Sequence, residues 1–233
     1  LSIVTSAHVA CGFHAGDPDV MATTMATAQQ KNVGLGAHPG FADLQGFGRR
    51  RMAMSGESLA NLIRFQIGAA QAMAMAAGGC LAHVKLHGAL ANMTSEDKAL
   101  ALTSFRAALS VAPETTLVVL AGTAQEAAAE ELGCNAACEI FADRAYNDDA
   151  TLVDRSQPGA VIHDPAEAAT RVAAMVRTGA IVTASGKEIP TRIDTGCLHG
   201  DTAEAVEIAR SARSKLITSG IAVKRFEGRP IGQ

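Results

Sequence analysis

Side chains able to move protons, hold metal ions or meet anions recur at the ends of short apolar runs in this chain. They appear in Cys11-Gly12-Phe13-His14, in Gly36-Ala37-His38-Pro39, and in a stretch where His83 and Lys85 lead to His87-Gly88. They appear again in Ala142-Asp143-Arg144 and in Cys197-Leu198-His199-Gly200-Asp201. Imidazole titrates near neutrality, ammonium and guanidinium groups meet carboxylate or phosphate, and carboxylates serve as bases or ligands. His83, Lys85 and His87 alternate, so on an extended strand they share one face. A charge on such a face needs a partner or a ligand. His8 sits in the middle of its run and reads as structural.

The elements that must position these residues follow from pattern and punctuation. Strands are expected near 3–11, 33–38, 81–87, 116–121, 139–142 and 193–199, with helices near 18–31, 56–77, 95–111, 123–132, 165–178 and 202–219. Asp17-Pro18 and Asp164-Pro165 pair an N-cap acceptor with proline at the first helical position. Asp164–Glu167 and Asp201–Glu204 also carry a Glu three residues on, an Asp form of the capping box. Residues 180–184 read as a small hairpin or extra strand between Gly179 and Gly186. Alternating strands and helices define an α/β fold with a parallel sheet, in which the carboxyl ends of the strands gather on one face. His14, His38, Lys85, His87, Asp143 and His199 are therefore expected to meet in one pocket. The glycine-rich segment Gly40–Arg51 reads as a mobile loop able to bring Asp43 and Arg49 to an anion, or as a solvated turn.

Composition narrows the classes. The chain has 233 residues, 48% hydrophobic and 18% charged, which suits one domain with a large core. No apolar run approaches the length of a membrane span and no leader-like stretch opens the sequence. A net charge of −3 with no basic cluster beyond Arg49-Arg50-Arg51 gives no sign of a nucleic-acid partner. Five widely spaced cysteines without a CxxC pair read as reduced thiols of a cytoplasmic protein. No Walker A loop, dinucleotide fingerprint or G-x-S-x-G elbow occurs.

Six ordered segments carry a resemblance: Val9–Pro18, Gly36–Arg50, His83–Leu90, Phe141–Tyr146, Ser156–Pro165 and Cys197–Thr202. Across nearly the whole chain the sequence resembles the LamB/YcsF family, whose members serve as A subunits of prokaryotic 5-oxoprolinase. The resemblance implies an irregular (β/α) TIM-like barrel of the glycoside hydrolase/polysaccharide deacetylase type. It implies conversion of 5-oxo-L-proline to L-glutamate coupled to ATP hydrolysis, together with B and C subunits. ATP would phosphorylate the amide oxygen and water would attack the activated carbon.

Under this reading His14, His38, Lys85, His87, Asp143 and His199 are the catalytic candidates. Asp17, Asp43, Arg49, His83, Asn92, Arg144 and Asp201 are the substrate-binding candidates. If a divalent metal takes part, its candidate ligands are His14, His38, His87, Asp143 and His199; metal ligation and acid–base work are not separable in sequence. Leu86 and Ala91 stand where the family usually has Pro and Tyr, while Lys85, His87 and Asn92 remain. The family pattern also opens with a strand of the type Asp-Leu-Asn-x-Asp-x-Gly-Glu, so a further strand is expected before Leu1, beside the run 3–11. Two rival readings stand beside this one: a metal-dependent amidohydrolase or carbohydrate deacetylase acting alone, and a non-catalytic metabolite-binding scaffold. Self-association into a homo-oligomer is a further open partner.

Overall fold

The computed structural model describes residues 1–200 and 203–231. Contacts gather the chain into two compact units, where composition leads one to expect a single domain over 1–233. The first comprises Leu1–Val119, Ala124–Ala136 and the segment from Glu227 on; the second comprises Leu120–Thr123 and Ala137–Phe226.

The first unit holds four parallel strands, β1 (Ser6–Ala10), β2 (Gly34–His38), β3 (His83–Lys85) and β4 (Thr116–Leu120, but for its last residue), hydrogen-bonded in that order. The register sets Ser6 beside Gly34 and Ala10 beside His38, then Gly36 beside His83, and His83 beside Thr116. Helices α1 (Pro18–Gln30), α2 (Gly56–Ala76), α3 (Gly88–Glu96), α4 (Lys98–Val111) and α5 (Ala124–Leu132) cover it. Asp17 caps α1 by accepting from the Val20 amide at 2.8 Å, with Pro18 at the first helical position. Along α2 the buried residues Leu59, Ile63, Ile67, Ala70 and Ala74 recur at three- and four-residue spacing, so one face enters the core and packs on α4.

The helix expected over 95–111 is instead two helices, because the Asp97 carboxylate accepts from Ala99 (2.8 Å) and Leu100 (3.1 Å) and starts α4 afresh. The preceding turns, α3, begin directly after His87, which is the N-cap residue. Strand end and helix start therefore share one histidine.

In the second unit β5 (Ala136–Phe141, but for its first residue) pairs in parallel with β8 (Thr195–Cys197), from Glu139 beside Thr195 to Phe141 beside Cys197. The Ala121 amide donates to the Glu139 carbonyl at 3.1 Å. The expected hairpin is present as β6 (Ala180–Val182) antiparallel to β7 (Glu188–Pro190). Helix α6 (Pro165–Thr178), capped by Asp164 as expected, packs on α7 (Ala205–Thr218). Ile162, Ala168 and Ile208 form a core cluster there with Leu198 against it. Glu204 is the N-cap residue of α7 rather than its third helical residue. Asp201 and Thr202, with which that capping box opens, lie outside the described residues. Tyr146 is fully buried and its hydroxyl accepts from the Phe141 amide at 2.7 Å. Parallel strands alternating with helices bear out the α/β reading. Among the described residues no helix is long and apolar enough to cross a membrane.

Candidate functional site

The alternation of β3 places His83 and Lys85 on one face, both buried, with Val84 on the other. Gly36 on β2 lies in the same row between His8 of β1 and His83. A Cβ on Gly36 would fall 2.1 Å from His83 Nε2, so the missing side chain is what lets the His83 ring lie across β2. The His8 and His83 rings then meet edge to face at 4.7 Å. His8, which reads as structural in the sequence, is part of the cluster, and among the described residues its Nε2 is buried with no hydrogen-bond partner. Burial, then Lys85, His83 and His38, push its pKa well below the ordinary value.

One step further along the strands stand His14, His38 and His87. His14 is 2% exposed and stacks on His87 with centroids 3.7 Å apart and planes within 6°. Burial, then His87 and Arg49, bring its pKa down to about 3, so the ring is neutral at pH 7. His38 Nδ1 lies 2.7 Å from the Lys85 carbonyl, and its Nε2 lies 3.1 Å from His87 Nδ1. His87 Nε2 lies 2.7 Å from the Phe47 carbonyl. Burial, with His87 and Lys85 next, lowers the His38 pKa well below its ordinary value, while the Lys85 carbonyl works against that shift.

The glycine-rich segment is a clamp on these rings. Cβ atoms on Gly40 or Gly48 would come within 2.9 Å of His14 Nδ1 and 2.8 Å of His87 Cδ2 respectively. The Gly40 amide donates to Gln66 Oε1 at 3.0 Å, and Gln66 Nε2 donates back to the Gly40 carbonyl at 2.8 Å. Gln66 on α2 is fully buried, and nothing in the sequence singles it out, because it looks like one polar residue on a helix. Asp43 is buried and bound to the Arg50 guanidinium and the Gly46 amide, and Arg50 holds its pKa down to about 2. That carboxylate organises its own loop. Arg49 is exposed and lies over the Phe47 ring, 5.0 Å from its centroid. Asp17 is occupied as a helix cap, and Asn92 is exposed on α3.

The second unit carries its own constellation. Asp143 Oδ2 accepts from His199 Nδ1 at 2.7 Å, and Arg155 approaches His199 Nε2 at 3.2 Å. A guanidinium only donates, so His199 Nε2 is the acceptor and Nδ1 carries the proton given to Asp143. Burial raises the Asp143 pKa, but the hydrogen bonds that His199 donates from its ring and its backbone work against it and leave the pKa below the ordinary value. Among the described residues, Asp143 Oδ1 is buried without a hydrogen-bond partner. The Arg144 guanidinium is directed to the Ala160 (3.1 Å) and Val153 (2.6 Å) carbonyls, which hold its own loop. Sequence reasoning did not single out Arg155. Asp201 lies outside the described residues.

Thus His14, His38, Lys85 and His87 stand together with His8 and His83 in the first unit, and Asp143 stands with His199 in the second. Among the described residues no group of three or more His, Cys, Asp or Glu side chains is arranged to hold a metal ion. The first cluster can pass protons through linked imidazoles and place cationic groups beside them. The second is an Asp-oriented imidazole, the arrangement that fixes a tautomer for base catalysis.

Parallel strands alternating with helices, with basic and imidazole side chains near the carboxyl ends of strands in each unit, define the class, an α/β protein. The sequence profile of the LamB/YcsF family matches residues 1–230, and the chain belongs to that family. It is 60% identical over 227 residues to the A subunit of a 5-oxoprolinase from Ruegeria pomeroyi, covering 97% of this chain and 90% of that one. The A subunit of a 5-oxoprolinase from Rhodopseudomonas palustris is 51% identical over 229 residues, covering 98% and 90%. The crystal structure of a lactam utilization protein from Thermus thermophilus superposes with a TM-score of 0.89 at 41% identity, covering 97% of this chain and 90% of that one.

Proposed function

We propose that this chain acts in the cytoplasm as the A subunit of a 5-oxoprolinase, working with B and C subunits to open 5-oxo-L-proline to L-glutamate at the cost of ATP. The observation that carries the reading is the 60% identity over 97% of the chain to the A subunit of a 5-oxoprolinase. The first-unit cluster adds chemical sense. A lactam carbonyl is a poor electrophile, and phosphorylation of its oxygen by ATP makes the carbon open to water. Lys85 supplies a buried cation suited to phosphate or carboxylate. The imidazoles of His14, His38 and His87 supply acid–base groups within one hydrogen-bonded, stacked set. His199, oriented by Asp143, is a second base candidate.

The test is reconstitution. The chain, its candidate B and C subunits, 5-oxo-L-proline and ATP are combined, and glutamate and ADP are measured with each component left out in turn. Glutamate release that needs all of them supports the reading. Lactam opening by this chain alone without ATP, or none by the full set, overturns it.

A further inference from the structure

The stacked rings of His14 and His87 are bordered by bare backbone. A Cβ on Gly40 would fall 2.9 Å from His14 Nδ1 and 3.1 Å from His87 Cβ, and one on Gly48 would fall 2.8 Å from His14 Cβ and His87 Cδ2. The Gly48 carbonyl accepts from the Ala89 amide at 2.9 Å, which ties that wall to the start of α3. The Gly40 wall is tied to α2 by a side chain. Gln66 is fully buried, and its partners fix which way its amide points. The Gly40 amide only donates, so Oε1 must face it, at 3.0 Å; the Gly40 and Leu62 carbonyls only accept, so Nε2 must face them, at 2.8 and 3.1 Å. The residue before it, Phe65, is 64% exposed, yet its ring stacks on Phe13 with centroids 5.3 Å apart and planes 15° apart. Phe13 directly precedes His14, and its carbonyl accepts from the Asp43 amide at 3.1 Å. Two consecutive residues of α2 therefore hold the backbone that carries one ring and the backbone that borders both.

We propose that Gln66 is a positioning residue for the reaction, with Phe65 as its second hold: between them they set where the His14 and His87 rings stand. The effect on rate rests on the lactam-opening reading; the effect on the rings does not.

Gln66→Met keeps the size and unbranched shape of the side chain and removes all three hydrogen bonds. The buried Gly40 N–H and C=O then lack these partners, and the backbone shifts to find others. Rings packed 3.7 Å apart have no slack to absorb that shift, so they move with the wall. A displacement of about 1 Å costs a reacting group up to about a hundredfold in rate. Binding depends on other groups, Lys85 among them, so the loss falls on kcat rather than KM.

Histidine-ring 1H–13C spectra of the full chain at a single pH read the rings directly, with a thermal scan of each variant beside them. In the wild type the Gln66 side-chain amide protons should exchange slowly with solvent, as buried, bonded protons do; rapid exchange overturns the proposal. Gln66→Met should move the signals of both His14 and His87. Phe65→Ala, a surface change that leaves the core intact, should move that of His14. Ile67→Ala opens a cavity at a fully buried position of the same helix and should move neither, which controls for lost stability alone. Unmoved ring signals in Gln66→Met overturn the proposal, and where that variant does not fold, unmoved signals in Phe65→Ala do so. In the reconstituted complex, kcat of Gln66→Met should fall roughly tenfold to a hundredfold with KM little changed. An equal fall in Ile67→Ala, or a raised KM with kcat unchanged, overturns the positioning role. Absence of glutamate release from the wild-type complex refutes the lactam-opening reading instead and leaves the ring spectra to decide.

Discussion

Adding one methyl group at Gly48 tests whether the loop is built around the imidazoles. Gly48 has φ +66°, a left-handed conformation, and a Cβ there would fall 2.8 Å from both His14 Cβ and His87 Cδ2. The left-handed backbone costs an L-residue about 1–2 kcal/mol. Overpacking against two buried, stacked rings adds about 1–3 kcal/mol, because neither can yield without leaving its partners. Gly48→Ala should therefore cost about 2–5 kcal/mol, or about 4–20 °C in melting midpoint for a domain of this size. Gly78 supplies the control, with φ +76° and, among the described residues beyond its chain neighbours, no atom within 4 Å of where a Cβ would stand. Gly78→Ala should show the backbone cost alone, about 1–2 kcal/mol. Calorimetric scans of the two variants beside the wild type give the comparison. A Gly48→Ala midpoint no lower than that of Gly78→Ala would refute the claim that the rings fix the loop.

Asp143 has a depressed pKa, so its contribution to stability is present above the unfolded-state value near about 4 and is lost as pH falls through the folded one. Asp143→Asn should flatten the acid side of a stability-against-pH curve measured by denaturant titration; an unchanged acid slope argues against the hydrogen bond that His199 donates to the carboxylate. All five cysteines are free, with Cys80 exposed and Cys11, Cys138 and Cys197 buried. Thiol titration of the native chain should find Cys80 reacting first and the three buried groups only on unfolding, with five thiols in total; fewer than five in denaturant would reveal a disulfide.

Much of the frame was legible because it rests on local chemistry. Asp-Pro pairs marked the starts of α1 and α6, and apolar runs marked each parallel strand. The break at Asp97 was hidden, since a mid-pattern Asp is an ordinary helix-surface residue until its carboxylate is seen on the Ala99 and Leu100 amides. Strand-end histidines were legible by type and position. The place of His8 beside those rings was not, because it depends on Gly36 of the neighbouring strand leaving room for His83. Arg144 and Asp43 looked available in sequence, yet the fold gives them carbonyl, amide and guanidinium partners within their own loops. Gln66 was the reverse case, an unremarked residue that fastens Gly40 from a helix. Partnerships of this kind are set by tertiary approach, which spacing along one chain does not encode.

The glycine-rich loop is fastened on its inner side by Gln66 and by the Phe47 carbonyl, while Leu44 on its outer arc is 62% exposed. That asymmetry makes Leu44 an attachment point for a reporter group. A cysteine placed there, in a background where Cys80 is replaced, would carry an environment-sensitive dye three residues from the carbonyl that meets His87. Such a dye could follow ligand entry by fluorescence in real time without touching any imidazole.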